Sequence, residues 1–253
     1  MDGLESERQI RVYLHIGLHK TGTTSFQRFC HDNRSVMLEQ NLVWYQPMAD
    51  GLNAHEVPLS VLRDGVVPFP SWYTSPADVG ERLQQIIRAH PGKDILISAE
   101  ALSFIRSAEE CERLRSLFGT WVKDCDFVVL VVMRERGDWW SSYSNEIMKT
   151  PLGPSKEPAS YRCLNPNGWL TDFETMLRTY RSCFRDVRTI AYSKSDVIPP
   201  LLAELGVAIP VGYQGERLNR RDPIPRIRSW YKRNLAKTFL GRIWRGLKRV
   251  VDV

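Results

Sequence analysis

Arg11-Val-Tyr-Leu-His-Ile-Gly17 runs directly into Leu18-His-Lys-Thr-Gly-Thr-Thr24. The first stretch alternates and is rich in strand-forming residues, so it reads as a β-strand. The second gathers a glycine, a lysine and three threonines, and a helical stretch follows through about Cys30. Glycine lets the backbone turn tightly between strand and helix. The N–H groups freed by the turn and by the helix start then converge on one point, where the helix dipole adds positive potential. The combination predicts an anion site. It is not a Walker A loop, in which lysine directly follows the second glycine. Thr23 holds that place here and Lys20 stands two residues before Gly22, so ATP hydrolysis is a poor fit.

Further strands lie downstream. Ile95-Leu-Ile-Ser98 is short and apolar, Phe127-Val-Val-Leu-Val-Val-Met133 is an unbroken apolar run, and residues 187–192 form a weaker candidate. An apolar run without alternation suits a central parallel strand covered on both faces. Helical periodicity marks residues 78–89, 108–118, 171–184 and 197–205 between these strands. Strands alternating with helices imply right-handed crossovers and a parallel sheet. Residues 46–76 and 150–168, rich in Gly, Pro and aromatics, are expected to be long loops carrying short helices, of the kind that often build binding sites. The expected fold is α/β: a P-loop-like parallel sheet flanked by helices over residues 1–225, with a basic helical C-terminal extension over 226–253.

The 253 residues, 43% hydrophobic, suffice for one large domain with a tail. Net charge is +6, but unevenly distributed. Residues 217–253 carry twelve Lys and Arg against two Asp, a balance of +10, and the other 216 residues come to −4. A basic tail on a slightly acidic body favours anionic partners. Five cysteines without a C-x-x-C pair suggest neither a disulfide framework nor a zinc site, and reduced thiols imply a cytoplasmic setting. The acidic, polar start of the chain does not read as a signal peptide. The longest apolar run is too short to cross a bilayer.

The strand followed by His-Lys-Thr-Gly-Thr-Thr resembles the 5'-phosphosulfate loop of sulfotransferases that use 3'-phosphoadenosine 5'-phosphosulfate (PAPS). That resemblance implies that Lys20 contacts the bridging oxygen that departs with the nucleotide. It also implies that Thr21, Gly22, Thr23 and Thr24 hold the 5'-phosphate. A fixed cation at an oxygen that gains charge stabilises the transition state more than the ground state. A second stretch, Met133-Arg-Glu-Arg-Gly-Asp-Trp-Trp-Ser-Ser142, supports the same reading. Arg134 ends the apolar run, Asp138 is placed to cap a following helix, and Ser142 comes eight residues after the arginine. In the family an arginine and a serine so spaced bind the 3'-phosphate, the group that separates PAPS from ATP. A guanidinium suits that phosphate geometrically.

Two further matches are looser. Tyr192 follows the last strand, where the family often places a tyrosine near the adenine, although Ser193 and Lys194 replace the usual acidic neighbour. Residues 212–223, with Asn219, Arg220 and Arg221, look like a late lid over the nucleotide. The resemblance covers roughly residues 10–225 and is closest to bacterial enzymes of the carbohydrate-modifying kind. It implies a PAPS-dependent transfer to a carbohydrate or glycolipid hydroxyl, with no metal.

An acceptor hydroxyl must lose its proton, and a positioned Glu or His can take it. Glu100 follows the strand at 95–98 and would stand beside the phosphate loop if the two strands are neighbours. His55, in the long loop, is the alternative, and the order favours Glu100. His15 reads as a sheet-face residue, and His19 as one that orients the loop without reacting.

Residues 230–251 combine apolar residues at helical spacing with seven interspersed Lys and Arg. Such a helix fits an anionic membrane surface, or docks on the protein with its basic face in water. Nucleic acid has no recognition motif to support it. The expected location is cytoplasmic, peripheral on the inner membrane face if the tail docks there. The competing readings are a P-loop-type nucleotide kinase, for which the lysine is misplaced, and a non-catalytic nucleotide- or membrane-binding protein.

Overall fold

A computed structural model describes residues 9–47, 51–67 and 75–215. The chain divides into units at residues 1–216 and 217–253. The second unit, with Arg220 and the basic tail, lies outside the described residues.

Five strands form one all-parallel sheet: β1 (Ile10–Gly17), β2 (Leu42–Trp44), β3 (Asp94–Ser98), β4 (Cys125–Met133) and β5 (Asp186–Ala191), in the order β2-β3-β1-β4-β5. The helices are α1 (Thr23–Asp32), α2 (Arg34–Glu39), α3 (Glu56–Leu59), α4 (Pro76–Ala89), α5 (Ala108–Ser116), α6 (Arg136–Lys149), α7 (Phe173–Cys183) and α8 (Ile198–Leu205). The expected parallel sheet flanked by helices is therefore present. No helix among the described residues is long and apolar enough to cross a membrane.

Each face of the sheet has its own core. Ile10, Val12, Leu14 and Ile16 of β1, with Phe127, Val129 and Val131 of β4, pack towards α3, α4, α5, α6 and α7. Tyr13 of β1 and Val128, Leu130 and Val132 of β4 pack towards α1, α2 and α8. Burial on both faces explains why β4 shows no alternation in sequence.

The middle strand is β1, hydrogen-bonded to β3 on one side and β4 on the other. Its onward connection runs through α1, while that of β4 runs through α6 and α7 on the opposite face. Adjacent strands whose connections diverge leave a crevice at their carboxyl ends. Gly17 pairs in register with Val132, so the turns after β1 and β4 open side by side.

Three details differ from the sequence reading. The edge strand β2 went unnoticed, because three residues show no periodicity. The cap of α6 is Glu135, whose carboxylate accepts from the Asp138 backbone N–H at 2.7 Å, whereas Asp138 sits in the first turn. Residues 150–168 form turns without a helix, while 51–67 do carry the short α3.

Candidate functional site

The turn after β1 owes its shape to two glycines and one strained lysine. Lys20 is in the left-handed region at φ 68°, and Gly22 follows at φ 83° as the residue preceding α1. A Cβ at Gly22 would come within 2.9 Å of Val197 as well as being strained at that φ. A Cβ at Gly17 would overlap the Thr23 side chain. Thr21 is buried, and its hydroxyl donates to the Leu18 carbonyl at 2.6 Å, closing the turn on itself. The Thr23 hydroxyl is buried without a partner, and Thr24 is exposed. No side chain caps α1. The Ser25 and Phe26 N–H groups donate to the Gly22 carbonyl at 3.0 and 3.2 Å, and those of Thr23 and Thr24 before them are suited to an anion.

Arg134 follows β4 and reaches across to the same turn. Its guanidinium donates to the Lys20 carbonyl at 3.0 Å and lies 5.1 Å from the centre of the Tyr192 ring. The arginine Nε is buried without a partner. Tyr192 is fixed by its backbone N–H, which donates to the Met133 carbonyl at 2.7 Å. Ser142 lies half-buried on α6. Lys20, Arg134 and Tyr192 are thus gathered at the ends of β1, β4 and β5.

Glu100 opens the 3-10 turn Glu100–Phe104 after β3. The condition for its placement is met: β3 neighbours β1, and the Ala99 N–H donates to the His15 carbonyl at 3.2 Å. Its carboxylate Oε2 lies 3.2 Å from His19 Nδ1. The His19 ring stacks on Phe104 at 5.4 Å and is tilted against Tyr143 at the same centroid distance. Burial of the ring works to lower the His19 pKa, but the Glu100 carboxylate, with help from Glu146, outweighs it and the pKa is raised. Burial would likewise raise the Glu100 pKa, but His19, then His55 and Lys20, bring it below the ordinary carboxylate value. An ionised Glu100 facing a proton-bearing imidazole is the consistent arrangement.

His55 precedes α3, in a segment tied to the end of β3 by the Ala54 N–H, which donates to the Ser98 carbonyl at 3.2 Å. Desolvation lowers its pKa and the charge of Glu100 opposes this. Desolvation is the larger effect and the net shift is downward, although the residue as a whole keeps exposed surface. The two rival bases of the sequence reading, together with His19, therefore form one cluster. His15 lies on the α1 face of β1, edge-on to Phe26 at 4.8 Å, with Nδ1 2.8 Å from the Ser98 hydroxyl.

Sequence reasoning missed Glu146. Its carboxylate lies 2.9 Å from the Lys20 ammonium in an exposed ion pair. The signal was available: Glu146 stands four residues beyond Ser142, on the same helical face. Arg220 lies outside the described residues, as does most of the proposed lid. Among the described residues no group of three or more His, Cys, Asp or Glu could hold a metal ion.

The cluster thus pairs cations at an uncapped helix start with a carboxylate and two imidazoles on the β3 side. An anionic donor and a proton acceptor could work there side by side. A scan against protein-family models matches none, and a search of curated proteins finds no matching relative.

Proposed function

We propose that this protein is a PAPS-dependent sulfotransferase acting on a hydroxyl of a carbohydrate or glycolipid. The observation that carries the reading is the reach of Arg134 to the Lys20 carbonyl at 3.0 Å. It brings the arginine assigned to the 3'-phosphate against the turn assigned to the 5'-phosphosulfate. The proposal takes that turn as a P-loop-like phosphosulfate loop.

In the proposed reaction the acceptor oxygen attacks sulfur as the bond from sulfur to the bridging oxygen breaks. The electron pair stays on the bridging oxygen, which leaves with adenosine 3',5'-bisphosphate, and Lys20 stabilises its growing charge. Glu100 takes the acceptor proton. Thr21, Gly22, Thr23 and Thr24 surround the 5'-phosphate, Ser142 joins Arg134 at the 3'-phosphate, and Tyr192 lies beside the adenine. To reach the donor, Lys20 exchanges Glu146 for it. An exposed pair of this kind contributes only about 0–1 kcal/mol, so the exchange costs little.

The test is calorimetry with adenosine 3',5'-bisphosphate against 5'-AMP. The bisphosphate should bind much more tightly, and Arg134→Ala should cost about 2–5 kcal/mol of its binding. Equal affinity of the unaltered protein for the two nucleotides would sink the assignment. For the tail, the proposal remains contact with an anionic membrane surface. Cosedimentation with anionic but not neutral vesicles is its check.

A further inference from the structure

The geometry points to His19 as a positioning residue for Glu100, holding the carboxylate ionised with one oxygen turned to the acceptor. The inference rests on the proposed sulfuryl transfer, and it adds a role that the resemblance did not assign. A carboxylate has two oxygens and needs only one to take a proton. In this protein Oε2 faces His19 Nδ1 at 3.2 Å, which leaves Oε1 for the acceptor. The imidazole is itself held. Phe104 stacks on it at 5.4 Å and 26°, Tyr143 lies against it, and both rings are buried.

The dyad also joins the two halves of the reaction. His19 is the residue before Lys20, so the side chain that orients the base and the one assigned to the leaving oxygen share a single peptide link. A donor seated on Lys20 is thereby brought beside the carboxylate that His19 holds. The charged and titratable groups around the His19 ring are Glu100, Glu146, Lys20, His55 and Tyr143. The carboxylates favour its protonated form, and Lys20 and His55 oppose it. His19 Nε2 is buried and has no partner, so the ring's one polar anchor is Glu100. When Glu100 accepts the acceptor proton, its attraction for the imidazolium is lost. Because a protonated His19 favours the ionised carboxylate, it also helps Glu100 to pass that proton on to solvent, which resets the site.

The test uses the full chain and two kinds of reading. In the first, the histidine ring protons are titrated by NMR, and the His19 resonance is assigned by its absence from His19→Asn. The Glu100→Gln protein should show the His19 pKa lowered by about one unit or more, since it loses a contacting opposite charge. In the second, transfer is measured against pH. His19→Ala should lower kcat at least about tenfold, as part of the 10²–10⁴ attributable to a general base. Its bisphosphate Kd should stay within about twofold, and the acid limb of its kcat profile should move to higher pH because Glu100 loses its cationic neighbour. His19→Asn, whose amide can donate from nearly the same position as Nδ1, should recover part of kcat.

An unchanged His19 titration in Glu100→Gln overturns the dyad even where transfer is intact. So does a His19→Ala protein with unaltered kcat and pH profile. If the unaltered protein neither transfers sulfate nor prefers the bisphosphate over 5'-AMP, the sulfotransferase reading falls, and the catalytic use of the dyad falls with it. The NMR titration would still report separately whether the two side chains are coupled.

Discussion

Acid should destabilise this protein through His15, by an amount that one substitution can isolate. The ring is buried, packs edge-on against Phe26, and has Nδ1 2.8 Å from the Ser98 hydroxyl and Nε2 buried without a partner. Protonation would leave a buried N–H without an acceptor. Burial, only slightly opposed by Glu100, accordingly lowers the pKa from 6.5 to about 3. The folded state thus refuses a proton that the unfolded chain accepts, and stability falls as pH drops below 6.5 until the folded state also protonates near 3. Between pH 7 and pH 5 the loss comes to about 2 kcal/mol.

The Glu100–His19 pair contributes with different signs. Its raised His19 pKa gives stability that is full below 6.5 and is lost as pH rises above that value. Its lowered Glu100 pKa gives stability that is present above 4.5 and is lost as pH falls further. These contributions occur with or without His15, so a comparison with His15→Phe largely cancels them. That variant keeps an aromatic ring against Phe26 and cannot titrate. Urea unfolding of both proteins from pH 7.5 to 5 is the assay. The unaltered protein should lose about 2 kcal/mol more than the variant over that range. Equal losses would refute the burial argument, whatever the variant's stability at neutral pH.

Other expectations follow from the site. Lys20→Met should lower kcat by about 10²–10³ with little change in bisphosphate Kd, because its main contact strengthens only as the bridging oxygen gains charge. An unaltered kcat at saturating donor would remove Lys20 from the catalytic set. Glu100→Gln should abolish transfer and leave bisphosphate binding intact in calorimetry. If that variant stays active while His55→Ala is inactive, the base is His55.

The sequence displayed the parts of the site more clearly than their assembly. The turn at residues 17–24 is local, so its glycines and its lysine could be read directly, and so could the double burial of β4. Glu100 could be placed only on the condition that β3 lies beside β1, because parallel pairing joins distant segments through crossovers. The pairing of His19 with Glu100 across 81 residues therefore left no local mark. The cap of α6 was misjudged because Glu135 and Asp138 are both acidic and near the helix start. The backbone, and not composition, chose Glu135. Residues 217–253 stand out by their charge and by the apolar spacing over 230–251, and neither says what such a segment would rest on.

The conformation of Lys20 explains why so much converges on one short turn. A lysine at φ 68° adopts a backbone that a residue with a Cβ enters only at a cost. The surrounding contacts sustain it. Arg134 holds the turn from the β4 side, donating to the Lys20 carbonyl at 3.0 Å while its guanidinium rests on Tyr192. Thr21 closes the turn from within through the Leu18 carbonyl. Gly17 and Gly22 leave room that Thr23 and Val197 occupy. Residues from β1, β4 and β5 thus fix one lysine, and the residue before it is fixed from the β3 side by Glu100 at 3.2 Å. A turn held in this way from both sides of β1 has its backbone and the Glu100 carboxylate in place before any ligand arrives. Only the Lys20 side chain, paired with Glu146 at 2.9 Å, then has to turn to the donor, and transition-state stabilisation by fixed charges depends on such preorganisation.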